Sequence, residues 1–470
     1  MSGRKLLLYL IIFLFIAGVA IDYFILRSEK ITYSNHIAKI IYEKCTPCHR
    51  QGEVGIFPLV SYQDAERRAK MLAKVTREKT MPPWPADNNY QHYVGERYLT
   101  ELEIKMISDW AENGAPLGDS TKAPPLPEFP TGSQLGKPDL VLKMKDVIPL
   151  PGDNKDKFML VKIPYETEKD TFIHIIEFVP DNRRLVHHLN GHLIQYDFEK
   201  KKDVFSGATF AQEYVGIPQD ELYKKINLLN DDGSYPTLTG SVFNYLPGVL
   251  PAIYPEGIGV YNMKRKGALL LKSIHYGPTP VDQSDQSTFN IFFSAKPPER
   301  PVRDMILGTY GVSQIEPPLV IPANEIKTFH TQVTLKMDIS ILTVNPHMHL
   351  LGKSFLAYAL TPTGDTIRLI KIDQWDFRWQ FFYSFKNIFR IPAGSVIHAF
   401  GTYDNTTENP YNPYNPPRII TEGSENEGMS TTSEMFQLII SYMPYKKGDE
   451  NISLENGLKK LAADSQIKTD

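Results

Sequence analysis

The longest hydrophobic stretch of the chain lies at its amino terminus. It is apolar without a break from Leu6 to Ala20, and after Asp22 the apolar character resumes to Leu26. Arg4 and Lys5 precede it, and a positive segment ahead of such a run is an export signal that leaves the amino end inside. A run of about 20 residues can also span a bilayer. Residues 1–30 are therefore expected to be a signal anchor in the inner membrane, spanning residues 6–26, or a signal peptide cut near Gly18 and Ala20; either way the bulk is expected on the periplasmic side.

Beyond this run the apolar period first becomes helical. Ser34 to Glu43, Ala65 to Arg77 and Thr100 to Glu112 read as helices, the last opened by Thr100 and Glu103 at capping-box spacing. These lie in a small all-α domain over residues 31–122. A connector over 123–138 follows, stiffened by Pro124, Pro125, Pro127, Pro130 and Pro138 and interrupted by Gly132 and Gly136. From there the pattern is β: Phe158 to Ile163, Thr171 to Val179, Leu269 to Tyr276 and Thr288 to Phe293 are short, branched and aromatic, with turn residues between them. Pro297, Pro298 and Pro301 separate two such regions, 139–298 and 299–448, and a polar tail covers 449–470. The expected fold is multidomain: the helical domain, then two all-β antiparallel sandwiches.

Composition narrows the function classes. The 51 basic and 54 acidic residues give a net charge of −3, so no global basic field awaits nucleic acid. Only two cysteines occur, few for a long exported chain, and they stand in Cys45-Thr46-Pro47-Cys48-His49. Cys-x-x-Cys-His is the pattern of covalent c-type haem attachment, with His49 as the first axial ligand of the iron. A zinc site would need a second cysteine or histidine pair close by, and a redox dithiol a βαβ context; neither is evident. The helical domain therefore reads as a cytochrome c domain carrying one haem c. The sixth iron ligand should come from a loop beyond the second helix. Met81 fits best, in Met81-Pro82-Pro83-Trp84, with Trp84 expected beside the haem ring; His92 is the other candidate, and Met71 and Met106 are expected in helix packing.

Twelve histidines are present, and five in the β region are grouped. His187 and His188 are adjacent, His275 stands in His275-Tyr276-Gly277, and His347 and His349 form a His-x-His. Residues two apart on a strand share a face, so His347 and His349 can chelate one ion, whereas His187 and His188 can share one only on a distorted strand or through different ring nitrogens. Imidazole suits copper and zinc alike, and a thioether ligand tips the choice to copper. His174, His192, His330 and His398 are expected to be locally hydrogen-bonded.

In order and spacing this set resembles the copper type II, ascorbate-dependent monooxygenases, the family of peptidylglycine α-hydroxylating and dopamine β-monooxygenase. The resemblance covers roughly Pro138 to Tyr445. It implies jelly-roll-like sandwiches and an electron-transfer copper on His187, His188 and His275. It also implies an oxygen-activating copper on His347, His349 and Met435, the last in Thr432-Ser433-Glu434-Met435. Asn345 stands where the peptidylglycine enzymes carry the arginine that anchors a substrate carboxylate, and Ile439 replaces an expected tyrosine, so peptide amidation is not expected. The implied function is an exported haem c and dicopper monooxygenase. It would hydroxylate a C–H bond of a small molecule with O2, electrons passing from an external donor through haem c to the three-histidine copper and on to the second. The alternative is a non-catalytic exported copper-binding, electron-transfer or redox-sensing protein.

Overall fold

The computed structural model describes residues 30–129, 132–197, 199–213, 217–249, 251–423 and 432–456. The expected anchor over residues 6–26, Pro130 and most of the expected tail lie outside them. No helix among the described residues is long and apolar enough to cross a membrane. The chain divides into two compact units, one of residues 1–51, 57–82 and 98–128, the other of 52–56, 83–97 and 129–470.

The first unit is built of helices, and one further α-helix, Gln219–Lys225, lies in the second. A π-helical turn, Tyr33–Ile37, leads into Ala38–Lys44. The helix expected from Ala65 starts earlier, because Ser61 and Asp64 form a capping box that opens Tyr62–Glu66. It then breaks before Ala69–Arg77. At the break, the Arg68 guanidinium takes the carbonyl of Asp64 at 3.1 Å and lies over the Phe57 ring. Glu101–Glu112 opens as expected on the Thr100/Glu103 capping box. Ile37, Ile41, Leu72, Ile104, Ile107 and Trp110 form the core of this unit. Met106 packs against that core, but Met71 is exposed, so the expected packing role fails for it.

The second unit is built of strands. Its first part holds β1 (Leu140–Lys143), β2 (Ile148–Leu150), β3 (Lys157–Glu166), β4 (Thr171–Val179), β5 (Val186–Gln195), β6 (Phe210–Gln212), β7 (Thr237–Tyr245), β8 (Tyr261–Met263), β9 (Lys266–Tyr276), β10 (Gln283–Asp285) and β11 (Thr288–Phe293). An antiparallel sheet in the order β6-β3-β9-β5-β7 and another in the order β1-β11-β4-β8 share one apolar core. Val161, Leu189 and Leu269 enter it from one sheet, Ile173, Ile176 and Phe289 from the other. Burying such faces against each other is what stabilises a layered β unit.

The second part holds β12 (Arg303–Gly308), β13 (Ile315–Glu316), β14 (Val320–Ile321), β15 (Ile326–Thr334), β16 (Ile339–Met348), β17 (Gly352–Leu360), β18 (Thr366–Ile372), β19 (Tyr383–Ile391), β20 (Val396–Asp404), β21 (Ile420–Thr421) and β22 (Phe436–Pro444). Here β12-β22-β16-β19 faces β13-β15-β20-β17-β18 across a second core, with Ile341, Val344 and Leu438 opposite Phe329, Phe355 and Ile370.

Residues 83–97 belong to this β unit and not to the helical one. Ala86 bridges Ile372 on β18, and Tyr93 bridges Phe385 on β19. Both strands end their sheets, so the segment covers two edges that would otherwise present unpaired backbone. Tyr93 is buried and donates its hydroxyl to the Leu369 carbonyl at 2.6 Å. Trp84 packs among Tyr93, Phe381 and Tyr383, aromatic rings of the β unit.

Candidate metal centres

The first candidate centre is the Cys45–His49 turn. Cys45 follows the helix Ala38–Lys44, and its carbonyl accepts the N–H groups of Cys48 and His49. No disulfide joins the two cysteines. Burial, with Cys48 beside it, pushes the Cys45 thiol up to about 12. His49 donates Nδ1–H to the Phe57 carbonyl at 3.1 Å, which fixes the tautomer and leaves Nε2 as the nitrogen with a free lone pair. Burial holds the imidazole below its ordinary pKa, in the neutral form a metal needs. Met81 is about one-third exposed just past Ala69–Arg77. His92 lies in the β-unit segment 83–97, where its Nδ1 pairs with Glu96 at 2.9 Å.

The second group rests on two strand irregularities. Val186 faces Tyr276 and His188 faces His275, so β5 carries one residue more than β9 over this interval, and that residue is His187. Such a bulge re-aims side chains, and it is the distortion that two adjacent histidines require to serve one centre. Val186 and Leu189 stay in the core while both imidazoles leave it. The ring of His275 lies 4.8 Å from that of His187 and 4.9 Å from that of His188, centre to centre. His275 donates Nε2–H to Asp156 at 2.7 Å and stacks on Phe158 at 4.5 Å. Its Nδ1 is buried without a hydrogen-bond partner. An orphaned buried nitrogen is costly unless a ligand completes it. Gly277 lies so close that a Cβ there would stand 2.6 Å from His187 Nε2, so only glycine leaves that imidazole its place. Burial, then His275, lowers His187 to about 4, and burial with His275, His187 and His347 lowers His188 well below its usual value.

The third group sits at the end of β16. His347 donates Nδ1–H to Gln380 Oε1, and His349 donates Nδ1–H to the Ser433 carbonyl at 2.8 Å. Both rings therefore turn Nε2 away from their anchors, and their centres are 5.1 Å apart. Burial, then His349, takes His347 down to about 3. Met348 pairs with Phe436 as the last pair of β16 and β22, and His349 and Met435 are the next residue beyond each strand. Met435 is buried, and its carbonyl accepts the Tyr403 hydroxyl at 2.6 Å. Glu434 takes the N–H of His349 at 2.8 Å and of Leu351 at 2.7 Å. Asn345 gives its amide to the Phe381 carbonyl at 2.8 Å and is thereby occupied structurally.

The segment between β18 and β19 supports the third group: Gln380 holds His347, and Phe377 packs edge-on against His349. Asp156, Gln380 and Asp376, which binds Arg378, carried no signal in the sequence. Glu434 stood beside Met435 in the motif and was readable only as its neighbour. Of the four histidines expected to bond locally, His174 meets the Tyr254 carbonyl and His192 that of Thr239. His330 and His398 bond to each other at 3.0 Å. Among the described residues, no three His, Cys, Asp or Glu side chains are gathered as a closed ligand set. The imidazoles converge by ring while their nitrogens are partly committed to Asp156, Gln380 and Ser433.

No family model and no curated protein matches the chain. Among solved structures, PNGF-II is 7% identical, over 65% of this chain and 65% of its own, with a TM-score of 0.21. The VP2 subviral particle of infectious bursal disease virus is 8% identical, over 72% of this chain and 90% of its own, with a TM-score of 0.15. Likenesses this weak carry no argument about the fold or the site.

Proposed function

We propose that the protein is an exported copper-dependent monooxygenase with a covalent haem c, anchored by residues 6–26, that hydroxylates a C–H bond of a small molecule with O2. In this reading the helical unit, without residues 83–97, is a cytochrome c domain, and the two sheet pairs are jelly-roll-like copper domains. Cys45 and Cys48 would hold the haem, with His49 and Met81 on the iron. His187, His188 and His275 would hold one copper; His347, His349 and Met435 would hold the other. The observation that carries the reading is the buried, unpartnered Nδ1 of His275, in a ring centred 4.8 and 4.9 Å from two further imidazoles. The donor sets differ in kind: three imidazoles in one, two imidazoles and a thioether in the other, which favours copper over zinc.

Bound copper would supply one-electron chemistry and O2 activation, and haem a store of electrons for it. The chain's own residues do the rest. Asp156, Gln380 and the Ser433 carbonyl each take an N–H from one of these imidazoles, which fixes the nitrogen that would be offered to a metal and raises its basicity. Burial keeps His187, His188 and His347 neutral across the physiological range, so no proton competes with a metal there. Asn345, already bonded to the Phe381 carbonyl, offers no cationic anchor for a substrate carboxylate.

The test is single turnover. Reduced, copper-loaded full-length protein is mixed with O2 and an extract of cell-envelope metabolites, and products are screened for the gain of one oxygen atom. The reading expects such a product from the wild type and none from His347→Ala or Met435→Ala. Absence of any oxygenated product, with copper bound and reoxidised, would favour the electron-transfer alternative.

A further inference from the structure

The alternation along β9 shows what turns His275 toward the other two imidazoles. Leu269 and Leu271 lie in the core between the sheets, and so do Ile274 and Tyr276. The two-residue period therefore slips by one between 271 and 274. An unslipped strand would turn residues 273 and 275 into that core and swing Ile274 out of it. The slip is registered by both neighbouring strands, between Met159 and Val161 on β3 and between His188 and Asn190 on β5. The extra residue is Ser273, which sits at φ 52°, a left-handed conformation that a residue with a Cβ keeps only when its surroundings hold it there.

Glu213, just past β6, supplies the hold. Ser273 donates its hydroxyl to Glu213 Oε2 at 2.6 Å and its N–H to Oε1 at 3.3 Å. Glu213 in turn donates its own N–H to the carbonyl of Phe158 at 2.8 Å. Phe158 is the residue whose ring stacks on His275, with the two planes 9° apart. One residue thus ties the bulge that aims His275, through its carboxylate, to the strand whose aromatic ring backs it, through its own N–H. We propose that Glu213 is a positioning residue: through the Ser273 bulge and Phe158 it locks His275 against His187 and His188. The inference rests on the metal-binding reading of those histidines for its importance, but the lock can be measured without metal.

In metal-free full-length protein with labelled histidine, the Phe158 ring current should shift the His275 ring-proton resonance upfield. Glu213→Ala should abolish that shift. Ser273→Gly, which tolerates the same φ and lacks the hydroxyl, should reduce it, and Glu213→Gln should keep most of it, since an amide oxygen can still accept one bond. In a copper titration, Glu213→Ala should weaken the three-histidine copper by roughly 10- to 100-fold and leave the other unchanged. A wild-type His275 resonance in both Glu213→Ala and Ser273→Gly overturns the lock, as does wild-type copper affinity in Glu213→Ala. If the wild type takes up no copper while Glu213→Ala still loses the shifted resonance, the lock stands and the metal reading falls.

Discussion

Glu434 has a carboxylate in a fully enclosed place, with two backbone N–H groups from the turn after β16 pointing at it. Burial pushes its pKa up to about 8, against the pull of the N–H groups of Leu351, His349 and Met435. Its cost is offset by what it organises: Glu434 receives the N–H groups of His349 and Leu351 in the turn that carries His349 out of β16. Glu434→Ala would leave both donors buried and unpaired, each worth about 1–3 kcal/mol. Denaturant unfolding should show a loss of about 3 kcal/mol with an unchanged slope. A loss under about 1 kcal/mol would mean that water or another group takes over the two donors.

Among the elements, the two staples of the β unit give separate expectations. Segment 83–97 covers the edges of β18 and β19, with Tyr93 as its buried anchor against Tyr383 and Phe385. Tyr93→Ala should destabilise the β unit by about 3–5 kcal/mol, the scale of an aromatic deletion from a core, read by urea unfolding. At the other end, Arg300 just before β12 grips Asp449 just after β22, and Arg300 Nη2 also reaches the Pro444 carbonyl at 2.6 Å. Burial alone would raise the Asp449 carboxyl, but the bonds from Arg300, Ser340 and the Lys446 N–H win and bring it from the ordinary 3.8 to about 2. A carboxyl lowered by folding stabilises the native state above its unfolded pKa, and that contribution fades as pH falls from about 4 toward 2. Asp449→Asn should lower the unfolding midpoint at pH 6 and flatten its fall between pH 4 and 2. A variant as steep as the wild type in that window would deny Asp449 this part.

How much of this the sequence disclosed depends on the range of the interaction. Thr171–Val179 and Thr288–Phe293 were legible to the residue because alternation and bounding turn residues are local signals. So was the start of Glu101–Glu112, since a capping box spans four positions. The break at Arg67–Arg68 was not legible, because it depends on Phe57 and a carbonyl, neither of which leaves a periodic mark. Nor was the membership of Pro83–Arg97 in the β unit, because its bridges are to Ile372 and Phe385, far along the chain. At the candidate centres the five histidines were visible by type and spacing. Their anchors Asp156 and Gln380 stand 119 and 33 residues from the rings they hold, and only folding brings them there.

For the whole molecule, the claim that matters is that one β unit carries two separate copper centres, one in each sheet pair. Each group has its own strands and its own anchors: β5 and β9 with Asp156 for one, the end of β16 with Gln380 and the Ser433 carbonyl for the other. The direct measurement is copper per chain in full-length protein, titrated under reducing conditions and counted after removal of excess metal, for the wild type, His275→Ala and His347→Ala. The account expects two coppers in the wild type and one in each variant, with the thioether signature kept in His275→Ala and lost in His347→Ala. A wild type that takes zinc at both places and refuses copper, or variants that each still hold two coppers, would contradict it.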